Sequence, residues 1–511
     1  MSEYLIGIDA GTSVVKCVLY DAAGRQVARA ATGTEISRPQ PGWCEQDMNA
    51  LAGQVETTLA ELVAKAPAEA RRVRAIGISA QGDGTWLVDE EGRPVRPALL
   101  WLDARAASVV RRWQEDGTAD RLFALTWTAP CVSLQPPQLR WLQENEPDTL
   151  ARTHAVLHAG DWIFYRLTGI LSSERSQVGH TYFLRRSETF SAQTFSACGI
   201  EPWLDRIPPV RDGLSAVGTL RPAIAERTGL PAGLPVAGPL FDVCASAIGL
   251  GALHDGDVCT IMGSAAIHEM TLAEPSPVPN GIGYNIVMGP KNRWLRMLSS
   301  MAGTLNVDWF LKTIGVPASS GQPVYTVAEN MVSGTSPGAG GLIYLPFIDA
   351  AGERSPFVND AARAMWFGLH SGLEKRHMLR AVYEGVAMAA RDCYEHMPKP
   401  FSTVRAAGGG AKSAAWMGIL ADVSGKVVNV FAEEECGALG AALAAGTASG
   451  LYSSLEEGVG VAVRIARQIE PDPKRMEYYD ERYGVYKALL SAVLPLWEER
   501  AAAASGAAEA Q

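Results

Sequence analysis

The sequence has no apolar run long enough to cross a membrane. The first apolar stretch is broken by Asp9 and Lys16, and Met1–Ser2–Glu3–Tyr4 before it carries no basic residue, so no signal peptide is expected. Basic residues are not in excess: 45 Lys and Arg against 55 Asp and Glu leave a net charge of −10. That balance speaks against nucleic acid or an anionic membrane as a main partner, since both attract a basic surface. The eight cysteines, at 17, 44, 131, 198, 244, 259, 393 and 436, form no CxxC pair and are scattered. They fit buried thiols in a reducing compartment, not a zinc site or a disulfide framework. His154, His158 and His180 lack metal-ligand spacing and read as structural. No GxxxxGK[ST] occurs, which excludes a Walker loop. The expectation is a cytoplasmic protein.

What is there is a globular composition, with 47% hydrophobic and 20% charged residues. At 511 residues the chain is too long for one core, so two or more domains are expected. Its organising stretch is Pro239–Leu240–Phe241–Asp242–Val243–Cys244–Ala245–Ser246. A Pro- and Gly-bearing approach delivers one carboxylate, Asp242, to the start of an apolar helix. Unpaired N–H groups of a first turn welcome a carboxylate. Asp242 is therefore either an N-cap or a general base at a cleft.

Residues 5–21 read as two strands joined by the turn Gly11–Thr12–Ser13, followed by a third strand at 27–32. Gly11 permits close backbone approach, and Thr12 and Ser13 add hydroxyls. The turn is either an ordinary hairpin or a phosphate loop. Asp9, at the end of the first strand, is placed to hold Mg²⁺ through water. The pattern recurs at 256–270, where Gly263–Ser264–Ala265 joins two further strands. Two such hairpins, one opening each half, suggest two similar domains facing each other.

Residues 45–66 have helical spacing, with Met48, Leu51, Val55, Leu59 and Leu62 on one face. Strands at 73–79 and 98–103 end in polar residues, where open sheets bind small ligands. Gln81, Gly82 and Asp83 follow the first. Trp101 and Asp103 close the second, with Trp101 offering either a flat face to a carbon chain or core packing. Residues 105–200 read as helices and loops. A helix is expected over 373–397, with Leu379, Val382, Val386, Ala389, Cys393 and Met397 buried. Gly408–Gly409–Gly410–Ala411–Lys412–Ser413 lies between a strand and a helix and lets a flat ring or a phosphate approach the backbone. Residues 436–443 form a small-residue helix suited to close packing, and 501–511 a low-complexity tail expected to be frayed.

In this order, Gly7–Ile8–Asp9–Ala10–Gly11–Thr12–Ser13, Phe241–Asp242, Leu345–Pro346 with Arg354–Ser355–Pro356, Arg380–Ala381–Val382–Tyr383–Glu384–Gly385 and Gly408–Gly409–Gly410–Ala411–Lys412–Ser413 resemble the FGGY carbohydrate kinases. The resemblance covers nearly the whole chain. It implies an α/β fold of two ribonuclease-H-like (actin-like ATPase) domains with a deep cleft between them. The division it implies is 1–248, 249–490 and a helical end with an Ala-rich tail at 491–511. It implies Asp242 as the base, Gly11, Thr12, Ser13, Gly263 and Ser264 as phosphate loops, and Gly303, Gly409, Gly410, Ala411 and Lys412 beside ATP. Asp9 serves Mg²⁺, and Gln81, Gly82, Asp83, Trp101, Asp103 and Phe241 join Asp242 around the substrate. The activity implied is ATP-dependent phosphorylation of a terminal hydroxyl of a small sugar, first D-xylulose. The alternatives are a tetritol kinase such as erythritol kinase, or a non-catalytic sugar sensor; a homodimer is the oligomer implied. Two departures stand out. The second loop has Gly263–Ser264–Ala265 where Gly-Thr-Ser is usual, and Gln81–Gly82–Asp83 replaces the Met-His-Gly of xylulose kinases.

Overall fold

The computed structural model describes residues 3–185, 189–214, 217–289, 292–316 and 322–509, with side chains described except at 217 and 502–509. Its framework begins with the meander expected at the N-terminus. Strands β1 (Tyr4–Ala10), β2 (Val14–Asp21) and β3 (Gln26–Gly33) run antiparallel, with Asp9 opposite Lys16 in the register. Helix α1 (Met48–Lys65) buries all five expected apolar positions; the Asp47 side chain caps it, accepting from Ala50 N. Strand β4 (Val73–Ala80) then pairs parallel to β1, in register from Gly7–Gly77 to Ala10–Ala80. Helix α2 (Arg175–Tyr182) belongs to the helical segment that follows. Strands β5 (Val217–Thr219) and β6 (Pro235–Ala237) complete the order β5-β6-β4-β1-β2-β3, and Leu240–Phe241 pairs with Ser79–Ala80 beyond β6.

Helix α3 (Asp242–Gly249) leads out of this sheet. A second sheet repeats the plan. Strands β7 (Val258–Met262), β8 (Ala266–Leu272), β9 (Tyr284–Val287) and β10 (Trp294–Ser300) are antiparallel neighbours. Helix α4 (Lys375–Glu395) buries Leu379, Val382, Val386, Ala389 and Cys393 as expected, with Met397 buried just beyond its end. Strand β11 (Thr403–Ala407) pairs parallel to β7, and β12 (Val427–Phe431) parallel to β11. Helix α5 (Cys436–Ala448) follows. Strand β13 (Ile465–Ile469) closes the order β9-β10-β8-β7-β11-β12-β13, and helix α6 (Pro473–Glu509) ends the described chain. Each sheet thus opens with an antiparallel hairpin whose first strand pairs parallel with a later one, as the repeated hairpin pattern suggested; the third antiparallel strand is the next in sequence in the first sheet but β10, not β9, in the second.

The two halves meet through crossed helices. Helix α5 comes from the second half yet lies on β1 and β4 of the first. Helix α3 shares an apolar cluster with Cys259, Ile286 and Leu295 of the second sheet. The helices touch at their backbones: a Cβ on Gly440 would run into the Ala245 carbonyl, and one on Gly249 into the Cys436 carbonyl. Small residues at the crossing permit this approach, and larger ones would force the lobes apart.

Two expectations are corrected. The strand expected at 98–103 is only Ala98–Leu99; the chain turns away at Leu100, where Asp103 N–H donates to the Leu100 carbonyl. The tail does not fray at 501, because α6 runs on to Glu509, its Ala-rich composition favouring helix; residues 510 and 511 lie outside the described residues.

Candidate active site

The first hairpin turn sits where β1 and β2 join. Gly11 N–H donates to the Val14 carbonyl at 3.1 Å, and Thr34 N–H donates to the Ser13 carbonyl at 2.9 Å. A hydrogen-bond chain runs from this turn into the polar strand end. Trp101 Nε1 donates to Thr12 Oγ1 (2.9 Å), Thr12 Oγ1 to Gln81 Oε1 (3.1 Å) and Gln81 Nε2 to Gln46 Oε1 (3.0 Å). Trp101 is half-buried, so it is neither a core residue nor a free face; it props the turn against Gln81.

Asp9 stands at the end of β1. Ser79 Oγ donates to it at 3.1 Å and Lys16 Nζ lies 3.9 Å away. Burial raises its pKa, with Lys16 pulling the other way. Lys16 is drawn more closely to Glu435 of the second lobe, at 2.7 Å, and Arg29 pairs with the same carboxylate at 2.9 Å.

Asp242 is the first residue of α3, and the N-cap position belongs to Phe241, whose side chain caps nothing. The N-cap reading of Asp242 therefore falls. Its carboxylate accepts from the adjacent Val243 N–H at 2.8 Å. Burial, with the Asp9 charge second, pushes its pKa up to about 8. Phe241 ahead of it is fixed twice: Ser176 Oγ accepts its N–H at 3.0 Å, and its ring packs on Gly82, where a Cβ would overlap it.

Asp83 is the opposite case. His180 Nε2 lies 3.0 Å from Oδ1; Ser133 Oγ donates to Oδ2 at 2.8 Å and the Tyr284 hydroxyl at 3.3 Å. Burial works against its charge, yet His180 and Ser133 outweigh it and hold the carboxyl below its ordinary value. Tyr284 comes from β9, so the cluster draws on both lobes. The His180 ring stacks on Tyr284 at 5.6 Å and tilts toward Phe241 at 5.3 Å.

Asp103 is placed elsewhere. Both its oxygens are taken, by Arg105 Nε (2.8 Å), Arg105 Nη2 (2.8 Å), Arg105 N and Cys44 N, and it is 0% exposed. Arg105 also pairs with Glu45 at 2.7 Å and lies over the Trp43 ring. Asp103 is thus engaged in a buried ion pair beneath the strand end, with no oxygen left for a substrate.

In the second lobe, Gly303 packs on the second hairpin turn: Thr304 N–H donates to the Gly263 carbonyl at 2.8 Å and Leu305 N–H to the Ser264 carbonyl at 3.3 Å. Gly409, Gly410, Ala411 and Lys412 form one 3-10 turn after β11. Gly408 and Gly410 lie against Met262 at the end of β7, which brings this turn beside the hairpin. Lys412 leans outward to Glu434 at 2.7 Å, both exposed. Arginine 467 fixes the turn by donating to the Ala411 carbonyl at 2.9 Å.

The sequence reading sets His180 aside as structural and does not single out Ser133 or Tyr284. His180 stands alone on its helix with no ligand-like spacing; only the fold brings it to Asp83.

Comparisons agree with this arrangement. The profile of the FGGY family of carbohydrate kinases, N-terminal domain, matches residues 4–249, and that of the C-terminal domain residues 258–449. The chain is 33% identical over 512 residues to an erythritol kinase of Brucella abortus (strain 2308), covering 98% of each protein. It is 30% identical over 509 residues to an L-xylulose/3-keto-L-gulonate kinase of Escherichia coli (strain K12), covering 96% of this chain and 98% of the relative. The crystal structure of a xylulose kinase from Rhodospirillum rubrum superimposes with a TM-score of 0.85 at 28% identity, covering 97% of this chain and 100% of the other. Two matched halves, two facing sheets and full-length kinase relatives leave one assignment: the chain belongs to the FGGY family of carbohydrate kinases and is a phosphotransferase.

Proposed function

We propose that this enzyme transfers the γ-phosphoryl group of ATP to a terminal hydroxyl of a four- or five-carbon open-chain polyol or ketose, with Asp242 as general base. The observation that carries this reading is the contrast between two acids, Asp83 buried and Asp242 half-buried. Asp83 is held ionised by His180 and Ser133, as an acceptor for substrate hydroxyls should be. Asp242 is poised near 8, as a base that must take and then release a proton should be.

Asp242 accepts the hydroxyl proton as the oxygen attacks the terminal phosphorus. Gly11, Thr12, Ser13, Gly263 and Ser264 orient the phosphates, and Gly409, Gly410 and Ala411 lie along the nucleoside. Positioning and charge stabilisation carry most of the rate in such transfers. The Asp9 charge raises the cost of charging Asp242, Asp9 itself is desolvated, and Lys16 lies only at 3.9 Å from it. That donor set suits Mg²⁺, which takes one or two carboxylates and fills its shell with water and phosphate. Bound there, it would neutralise charge on the transferring group. Closing of the lobes keeps water from competing as acceptor.

Erythritol is the first acceptor to test. The Gln81–Gly82–Asp83 departure from xylulose kinases supports a tetritol, and so does the packing of the Phe241, His180 and Tyr284 rings beside Asp83, which leaves less room for a longer chain. A ketopentose is the second reading, supported by the relative whose name includes L-xylulose. A coupled ADP-release screen over erythritol, D-xylulose, L-xylulose, ribulose, glycerol and gluconate decides between them, and ADP release with none would leave the sensor reading. The division into 1–248 and 249–490 is proposed on the same footing, with α3 as the joint.

A further inference from the structure

Glu353 and Arg354 stand side by side in the second lobe, in the loop after Ile343–Leu345. Glu353 is fully buried and serves as an anchor. It accepts Ser300 Oγ at 3.0 Å, and the N–H groups of Met301 at 2.9 Å, Arg354 at 2.7 Å and Ser355 at 3.2 Å. The loop is thereby pinned to the end of β10, two residues from Gly303. One of these four hydrogen bonds holds the backbone N–H of Arg354 itself.

Its side chain is left over. Among the described residues the Arg354 guanidinium makes no hydrogen bond and no ion pair. Other buried arginines here are all engaged: Arg105 by Asp103 and Glu45, Arg380 by Glu384, and Arg296 by the Val278 and Pro279 carbonyls. Arg354 is half-buried, and burial opposes its charge; the fields of Cys131, Tyr284, Asp83 and Asp349 more than restore it. The first three already form one network, with Cys131 Sγ 2.7 Å and Ser133 Oγ 3.1 Å from the Tyr284 hydroxyl. A guanidinium carries five donors, and those of Arg354 stay open to solvent instead of being sealed among protein groups. An acceptor that arrives with the substrate would satisfy them.

We propose that Arg354 is a specificity-determining residue, which donates to an oxygen at the end of the substrate far from the hydroxyl presented to Asp242, while Asp83 accepts from a hydroxyl beside it. The ligand class is an acyclic polyol or ketose oxygenated at both ends and at least four carbons long. Because Arg354 belongs to the second lobe and Asp83 to the first, such a ligand ties the lobes together. A three-carbon polyol reaches Asp242 but not Arg354. This inference rests on the kinase reading and extends it.

The test compares wild type with Arg354→Ala and Arg354→Lys on glycerol, erythritol, D-xylulose and xylitol. For Arg354→Ala, kcat/KM on the longer acceptors should fall about thirtyfold, through KM, the scale of one lost charged hydrogen bond. Activity on glycerol and the KM for ATP should move less than about twofold on the same grounds. Arg354→Lys should keep part of the preference for long acceptors, and millimolar methylguanidinium should restore part of it to Arg354→Ala. An unchanged ratio of long to short acceptors in both variants would overturn the inference and leave the kinase reading standing, as would an equal loss on all acceptors. Failure of the wild type to phosphorylate any of the four would overturn the kinase reading itself.

Discussion

The Val243 N–H donates to Asp242 Oδ1 at 2.8 Å, from one residue further into the same helix. This local bond favours the ionised carboxylate, but burial and the nearby charge of Asp9 outweigh it and carry the pKa to about 8. The active form of a general base is the deprotonated one. The kcat/KM for the acceptor should therefore rise tenfold per pH unit below about 8 and level off above it. Asp9→Asn removes a charge that raises this pKa, so any residual activity of that variant should level off at lower pH. A profile flat from pH 6 to 9 would contradict the assignment.

Stability follows the opposite course. Between 3.8 and about 8 the unfolded chain ionises this carboxyl while the folded protein keeps it protonated, so folding loses stability as pH rises through that window. Asp242→Asn lifts the penalty. Its melting temperature should exceed that of wild type by a few degrees at pH 8, and the gap should vanish near pH 4. Thermal scans at the two pH values check this.

Gly82 holds no Cβ because the Phe241 ring occupies that space. Gly82→Ala must displace Phe241, and with it the residue that follows, Asp242. Misplacing a reacting group by about 1 Å costs on the order of a hundredfold in rate. Steady-state kinetics should show at least a tenfold fall in kcat, with the KM for ATP retained.

Two acids that look alike in the sequence should part company. Asp103 is consumed by Arg105 and Cys44 N, so Asp103→Ala should cost about 3–5 kcal/mol in urea unfolding by stranding a buried guanidinium. Asp83→Asn should instead raise the acceptor KM at least tenfold, with a smaller change in unfolding midpoint.

The crossing of α3 and α5 is as sensitive as the chemistry. A methyl on Gly440 meets the Ala245 carbonyl. Gly440→Ala should destabilise by about 3 kcal/mol, as overpacking does, despite the better helix propensity of alanine. A variant as stable as wild type would mean that the lobes are not in contact there.

The framework and much of the site were legible in the sequence because they are local. The meander declares itself by alternation and turn residues. The glycine turn at 408–410 and the small-residue helix need only a few consecutive positions. Asp242 could be singled out because one charge opens an apolar run, though the sequence could not decide between cap and base; the backbone removes the first by giving the cap to Phe241. Asp103 misled because a polar strand end predicts exposure, whereas Arg105, two residues on, folds back over it. His180 and Tyr284 reach Asp83 from 97 and 201 residues away in sequence. No periodicity encodes such meetings: His180 arrives by the folding of the first lobe on itself, and Tyr284 by the docking of the second lobe on the first.

The most direct measurement is ADP release by Asp242→Asn at pH 8, with the best acceptor from the screen, beside calorimetric titration of ATP and of that acceptor. The account predicts a loss of turnover of at least about a hundredfold, with both ligands still binding within a few-fold of wild type. Turnover equal to that of wild type would contradict it.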